Sequence, residues 1–178
     1  LGLVSLYTHG THVAGIAVDG NPFARIFAAT QLWEHRSEPV RPDEAMSQRV
    51  AQSYRRTVQA FQEQKLRVVN MSWRYSAGAY EAMLAWHNAG GTPDERRQLA
   101  QRLFAIERDA LREAIASAPE ILFVAGSGNE DNSADFESYI PAGLQLPNLL
   151  TVGAVDRAGQ ETSFSTFGKT VVLHANGF

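Results

Sequence analysis

Two histidines three positions apart, His9 and His12, are the residues of this sequence best suited to proton transfer. They stand in the run His9-Gly-Thr-His-Val-Ala-Gly15, whose glycines allow another group to approach closely. A neutral imidazole takes a proton from a hydroxyl nucleophile near pH 7. A zinc site is the alternative for such a pair, but no carboxylate partner is evident. The residue types therefore favour a general base over a metal ligand.

A second run, Val124-Ala-Gly-Ser-Gly-Asn-Glu130, follows an apolar stretch and carries a side-chain amide at Asn129. An amide donor held rigidly in place stabilises the negative charge that develops on a carbonyl oxygen under attack. The residues alone leave two alternatives open. Gly126-Ser-Gly128 is similar to part of a dinucleotide-binding loop, although the third glycine and the helix that should follow are missing. An ordinary turn is the other alternative.

Strand and helix patterns alternate along the chain, and this order is typical of an α/β domain. The predicted strands are short apolar stretches, several of them rich in β-branched residues. They lie at 24–30, 67–73, 121–125, 149–154 and 171–174. No repeat, low-complexity tract or domain boundary interrupts this order, so one α/β domain is predicted.

One long helix is predicted from Asp43 to about Lys65, where apolar residues recur every three to four positions on a single face. We expect this face to cover a sheet. Its members are Met46, Val50, Tyr54, Val58 and Phe61.

A second long helix is predicted to begin at Thr92, after glycines at Gly90 and Gly91 interrupt the preceding helical stretch. Thr92, Pro93 and Glu95 combine a capping hydroxyl, a proline at the first helical position and a carboxylate that reaches back. Pro119 stops the helix, because proline lacks the amide donor and clashes with the preceding turn. The predicted buried stripe is Leu99, Leu103, Ile106, Ala110, Ala114 and Ala118.

The run beginning at His9 and the run ending at Asn129 both resemble motifs of the subtilisin-like serine proteases, and they occur in the family's order. The resemblance implies that His9 is the catalytic base, at the start of a helix whose positive end keeps the imidazole neutral. It implies that the Asn129 amide donates to the oxyanion. His12 is then expected to pack as a structural residue, and His35, His87 and His174 are expected in solvent or core positions.

The stretch Val68-Val-Asn-Met-Ser72 resembles the family strand that runs beside a bound peptide, which implies that the substrate adds as a further strand. The resemblance implies one wall of the specificity pocket at Ser72, Trp73 and Arg74, and the facing wall at Gly126, Ser127 and Gly128. The sequence departs from the family at Trp73 and Arg74, where a small apolar residue and a glycine are usual. Trp73 as a core residue is the alternative.

The resemblance continues through Pro141-Ala142, the strand at 151–156 and the turn at 163–168 to the strand at 171–177. It implies a subtilisin-like three-layer α/β fold with a mainly parallel sheet. The family's Gly-Thr-Ser nucleophile motif does not occur in the 178 residues, and no acidic residue precedes His9. We therefore expect residues 1–178 to be part of a peptidase domain that lacks the aspartate and serine segments of its triad.

The segment 76–117 is longer and more helical than the family usually shows, so a helical insertion is predicted there. A partner-docking insert and a solvated surface are the two alternatives for its charged residues.

The expected function is peptide-bond hydrolysis by a serine endopeptidase, with residues 1–178 inactive alone. A catalytically dead, protease-like binding or scaffold module is the alternative. A net charge of -3 argues against nucleic acid as a partner, and no apolar run reaches the roughly 20 residues that span a membrane. We expect a peptide or protein substrate, no cofactor and no metal ion. Secretion or a periplasmic location follows from the resemblance only.

Overall fold

The computed structural model describes residues 2–30, 39–133 and 139–177, with side chains from residue 8 onward. The chain divides into two compact units, Leu1–Trp33 and Glu34–Phe178. Each unit is described by itself, and the single partial peptidase domain predicted over residues 1–178 stays a prediction.

The first unit contains helix α1, Gly2–Val18, which carries both candidate histidines. A turn follows, closed by the amide of Asn21 donating to the carbonyl of Val18 over 3.0 Å. The strand predicted at 24–30 is wrong, because these residues have no regular structure and Ile26 is 55% exposed. An apolar run forms a strand only where a neighbouring strand completes its hydrogen bonds, and the described residues of this unit include none.

The second unit is built on four parallel strands in the order β1-β2-β3-β4. Their bounds are Val68–Met71, Leu122–Gly126, Leu149–Val155 and Val171–Asn176. The register aligns Met71 with Ala125, and Ala125 with Thr151. These three residues are buried on one face, as the alternation of side chains along each strand requires. The predicted α/β class with a mainly parallel sheet is confirmed.

Three helices of the second unit pack against this sheet: α2, Glu44–Glu63; α3, Ala77–Trp86; and α4, Pro93–Ala116. The predicted start of α4 is confirmed, since Thr92 and Glu95 form a capping box and Pro93 occupies the first turn. The glycine break is confirmed as well, with φ of 86° at Gly90 and 73° at Gly91. These values lie where glycine is favoured over other residues.

The core fills the space between the three helices and one face of the sheet. The opposite face carries exposed apolar side chains, among them Val68 and Leu122. Segment 76–117 contributes buried residues of α3 and α4 to this core, and its origin as an insertion stays a prediction. The largest fully buried side chains are Tyr80, Phe104, Phe123, Leu84, Ile115, Ile121 and Ile140.

The buried face of α4 is displaced from the predicted stripe. Leu99 and Ile106 are only partly buried, whereas Leu103, Ala110 and Ala114 are buried as expected. The face is also wider, because it includes a carboxyl group. The residues of α4 that are buried are Ala100, Leu103, Phe104, Glu107, Ala110, Leu111, Ala114 and Ile115.

Glu107 lies in a polar cluster between α2, α3 and α4. Tyr80 donates a hydrogen bond to its carboxylate, and the hydroxyls of Ser47 and Tyr80 are 3.1 Å apart. Burial raises the pKa of Glu107 to about 7, against the opposing effect of the bond from Tyr80. Burial likewise raises the pKa of Tyr75 to about 12, and Glu107 adds to that rise. The core therefore holds one carboxyl group that titrates near neutral pH.

Candidate functional site

The ends of β1 and β2 bring the two predicted pocket walls together. Because both strands are parallel and Met71 is in register with Ala125, the residues after each strand emerge at the same edge of the sheet. Ser72 to Arg74 follow β1, and Gly126 to Gly128 end β2 and begin the next loop. Ligands of open α/β sheets bind outside this carboxyl edge.

The two residues after β1 differ in how far they face solvent. Ser72 is exposed, and its hydroxyl oxygen accepts a hydrogen bond of 2.8 Å from the Asn70 side chain. Trp73 is half-buried and stacks on Tyr54 of α2, with ring centroids 5.9 Å apart and planes 10° apart. Its indole thus packs against the core, as the alternative interpretation proposed, which leaves its main chain for contact with a ligand.

The loop after β2 is fixed at Ser127 and bent at Gly128. Ser127 is buried, and its amide donates to the carbonyl of Val152 on β3 over 2.9 Å. Gly128 has φ of 127°, a value that L side chains rarely adopt. This bend sends the chain away from the sheet directly before Asn129.

Asn129 is exposed at this edge. Its backbone amide donates to the Glu130 carboxylate over 3.1 Å. Within the ranges that the structure describes, the side-chain amide of Asn129 makes no hydrogen bond. That side chain therefore has free N–H donors for a ligand, which is what an oxyanion donor requires.

The turn at 163–168 makes hydrogen bonds to the residues on either side of Asn129. Thr166 is fully buried, and its backbone amide donates to the carbonyl of Gly128 over 3.1 Å. Its hydroxyl oxygen accepts from the backbone amide of Glu130 over 3.4 Å. Two hydrogen-bonding groups of this loop therefore take fixed positions through a residue far along the chain.

Arg74 and Glu130 join the two loops directly through an ion pair. The guanidinium of Arg74 also lies over the ring of Tyr139, 5.1 Å from its centroid. Sequence reasoning selected Arg74 but missed Glu130 as its partner. The one available signal was that Glu130 directly follows Asn129 in the motif.

His9 and His12 belong to the first unit, whereas Asn129 and the pocket residues belong to the second. Both histidines are exposed, so the expectation that His12 packs is wrong. His9 lies in the interior of α1 rather than at its start, so the expected effect of a helix end does not apply. The helix begins seven residues earlier because no glycine or proline between Gly2 and His9 interrupts it.

Two of the three remaining histidines, His87 and His174, lie in the described part of the chain. The His87 ring donates to the carbonyl of Pro39 over 2.6 Å, and His174 is exposed on β4. His35 lies outside the described residues. Within 2–30, 39–133 and 139–177, no group of three His, Cys, Asp or Glu side chains is arranged to hold a metal ion.

A cavity of about 740 Å³ lies away from the predicted pocket, beside the first turn of α2 and between α3 and α4. Its lining includes Arg41, Asp43, Leu84, Arg102 and Leu103, and none of the predicted site residues. The carboxyl edge, unlike this cavity, carries the free amide of Asn129 and both candidate walls.

The parallel sheet, with its helices and two loops at one carboxyl edge, has the architecture expected of a subtilisin-like protease domain. A family model described as the subtilase family matches residues 4–177. The chain therefore belongs to the subtilase family, a family of serine proteases. No helix of the described residues has the length and apolar character needed to cross a membrane. A search of curated proteins found no match.

Several solved structures are similar to this chain. The prenylagaramide maturation protease PagA is 20% identical with a TM-score of 0.44, over 71% of this chain and 37% of that protein. A cold adapted subtilisin-like serine proteinase is 24% identical with a TM-score of 0.39, over 62% and 29%. The nisin leader peptidase NisP from Lactococcus lactis is 17% identical with a TM-score of 0.44, over 71% and 36%. The similarity thus spans 29% to 37% of these proteins.

Proposed function

We propose that this chain is part of a serine endopeptidase in which His9 is the general base and Asn129 is the oxyanion donor. The nucleophilic serine and the aspartate that orients His9 would come from segments outside residues 1–178, which contain neither family motif. The substrate would be a peptide or protein.

The observation that supports this proposal is the free amide of Asn129 at the end of β2, beside the edge strand β1. An extended peptide that adds to the main chain near Ser72 would lie next to this donor. Its attacked carbonyl would then meet the side-chain N–H group of a residue whose backbone is held by the Gly128 bend and by Thr166. A backbone held in advance reduces the reorganisation needed as charge develops.

The proposed reaction begins when the serine oxygen attacks the peptide carbonyl carbon and His9 takes the hydroxyl proton. The carbonyl oxygen becomes an oxyanion, to which the Asn129 amide donates. His9 then gives its proton to the leaving amine as the C–N bond breaks. Water attacks the acyl-enzyme by the same route and frees the second product. Residues 1–178 alone would hold a base and an oxyanion donor without a nucleophile, and we expect them to be inactive.

A fluorophosphonate probe tests this proposal, because it reacts with a serine that a base has activated. We expect the full-length protein to be labelled and the His9→Ala variant to lose labelling. His12→Ala is the matched control, since His12 is an exposed histidine of the same helix. This control should label as the unmodified protein does.

Absence of labelling in a folded full-length protein would contradict the proposal and favour the binding or scaffold module. Equal labelling of the His9→Ala and unmodified proteins would show that another residue is the base.

A further inference from the structure

The cavity between α3 and α4 lies within the second unit and is large enough for a small organic molecule. Its volume of about 740 Å³ falls in the range of known ligand pockets, roughly 300–1,000 Å³. Segment 41–44, before and at the start of α2, forms one side of it. The ring of His87 donates to the carbonyl of Pro39 over 2.6 Å, which fastens the chain leading into this segment to the end of α3.

The apolar part of the cavity lining consists of aliphatic side chains. Leu84 and Leu103 are buried beneath it. Leu99 and Ile106 also line the cavity and are only partly buried, although they stand on the same face of α4 as Leu103. The sequence pattern predicted both as core residues. Their incomplete burial leaves apolar surface in the cavity, and covering it with an aliphatic group is favourable.

Two arginines, Arg41 and Arg102, contribute cationic groups to the same lining. Arg102 stands inside the apolar stripe of α4, one position before Leu103. The residues three and four positions away on the helix are Gln98, Leu99, Ala105 and Ile106, so α4 offers it no acidic neighbour. Among the residues that the structure describes, neither guanidinium forms an ion pair or a hydrogen bond.

The acidic groups of the lining offset only one of these two charges. Asp43 caps α2, and its carboxylate accepts from the backbone amide of Met46 over 2.7 Å. Its charge is therefore compensated by the positive end of the helix dipole. Glu44, the first residue of α2, is the other acid of the lining. Two guanidiniums against one free carboxylate leave one positive charge, which matches a ligand with a single negative charge.

From these features we propose that the cavity binds an aliphatic carboxylate. The alkyl chain covers the exposed surface of Leu99 and Ile106. The guanidiniums of Arg41 and Arg102 bind the carboxylate, because a guanidinium presents paired N–H donors that match two carboxylate oxygens. A fatty acid and the C-terminus of a peptide ending in Leu or Ile share this chemistry. The lining contains none of the predicted protease site residues, so the inference does not depend on the proposed function.

Calorimetric titration of the full-length protein with decanoate tests this inference. We expect saturable binding of one equivalent. Affinity should rise by about fourfold for each CH₂ group added from hexanoate to decanoate, as the burial of one such group gives. Decanol, which has the chain without the charge, should bind at least about tenfold more weakly. Acetyl-Leu-Leu is titrated in parallel, and whichever of it and decanoate binds more tightly identifies the source of the carboxylate.

Variants of the charged lining test the role of each group. Arg41→Gln and Arg102→Gln should each weaken decanoate binding by about tenfold and leave the affinity for decanol unchanged. Glu44→Gln removes an opposing negative charge and should strengthen decanoate binding. Arg112→Gln is the matched control, because Arg112 is an exposed arginine of α4 that does not line the cavity. This control should bind decanoate as the unmodified protein does.

Leu99→Trp tests the space itself, since the larger side chain occupies the volume that the alkyl chain needs. We expect it to abolish decanoate binding, while the melting temperature without ligand changes little because Leu99 is only partly buried. Absence of saturable decanoate binding by the folded, unmodified protein would overturn the inference. Affinity that does not depend on chain length, or equal losses in Arg102→Gln and Arg112→Gln, would overturn it as well.

Discussion

Thr166 packs closely against Gly128, the residue before Asn129, so that its hydroxyl oxygen lies 2.7 Å from the point that a β-carbon on Gly128 would occupy. The same added carbon would stand 3.1 Å from a carboxylate oxygen of Glu130. Such distances leave no room for a side chain, and the positive φ at Gly128 adds backbone strain. Thr166, which is remote in sequence, and Glu130, two residues away, thus favour glycine at this position.

We expect Gly128→Ala to lower the free energy of unfolding by about 1–3 kcal/mol, measured by urea denaturation. Gly126→Ala is the control, since nothing lies within 4 Å of its added carbon and its φ is not positive. That control should change stability by less than about 1 kcal/mol. Similar losses for both variants would mean that the bend at Gly128 is not the strained position.

With the proposed function, Asn129→Ala in the full-length protein should lower kcat by about 10² to 10³, the range found when such a donor is removed from subtilisin. The melting temperature should stay the same, because the amide makes no hydrogen bond within the described residues. Gln145→Ala removes another exposed amide of the second unit and should leave kcat unchanged. An Asn129→Ala enzyme with full kcat would exclude this side chain as the oxyanion donor.

Glu107 should make stability depend on pH. Its pKa in the folded protein is about 7 and its ordinary value is 4.5, so the folded state holds the proton more tightly than the unfolded chain. The stabilisation is complete below pH 4.5 and is lost as pH rises to about 7, a change of about 3 kcal/mol. Glu107→Gln should lack this change.

Urea denaturation at pH 4.5, 6 and 7.5 measures this effect as the difference between the unmodified protein and Glu107→Gln. The difference isolates Glu107, because other carboxyl groups titrate in both proteins. A difference that stays constant across these pH values would contradict a buried carboxyl group that titrates near 7.

Thr92→Ala should lower the free energy of unfolding by about 1 kcal/mol, because it removes the hydroxyl that accepts from the Glu95 backbone amide. Thr92→Ser keeps a capping hydroxyl and should retain most of the stability. If serine loses as much stability as alanine, the methyl group of Thr92 is responsible and the cap is not.

Local patterns were sufficient to predict α4 and the strands of the sheet. The capping box depends on residues within four positions of each other, and the strands depend on short apolar runs, so both are readable without the fold. The strand predicted at 24–30 was wrong because a strand also needs a neighbouring strand to complete its hydrogen bonds. A local pattern does not show whether such a neighbour is present. The start of α1 was also misplaced.

The burial of a charged residue on the core face of α4 was not predicted. Glu107 stands four residues after Leu103 and three before Ala110, which is the spacing of the buried face, yet its charge excluded it from the predicted stripe. The Tyr80 hydroxyl that makes its burial tolerable comes from another helix.

The individual residues of the candidate site could be proposed from the sequence. The contacts between those residues could not. Asn129 and the two walls follow from the motifs and the resemblance. The pairing of Arg74 with Glu130 follows from neither, because the two residues meet only after β1 and β2 align.

The order β1-β2-β3-β4 means that each strand pairs with the next one along the chain. During synthesis on the ribosome, each new strand can therefore pair with the strand that emerged before it. The first pairing closes the longest of the three connections, since the segment from β1 to β2 includes α3 and α4, and it therefore has the largest loop-closure entropy. The turn containing Thr166 comes later in the chain than the loop containing Asn129, so the two hydrogen bonds that hold this loop can form only after all three residues involved have been synthesised.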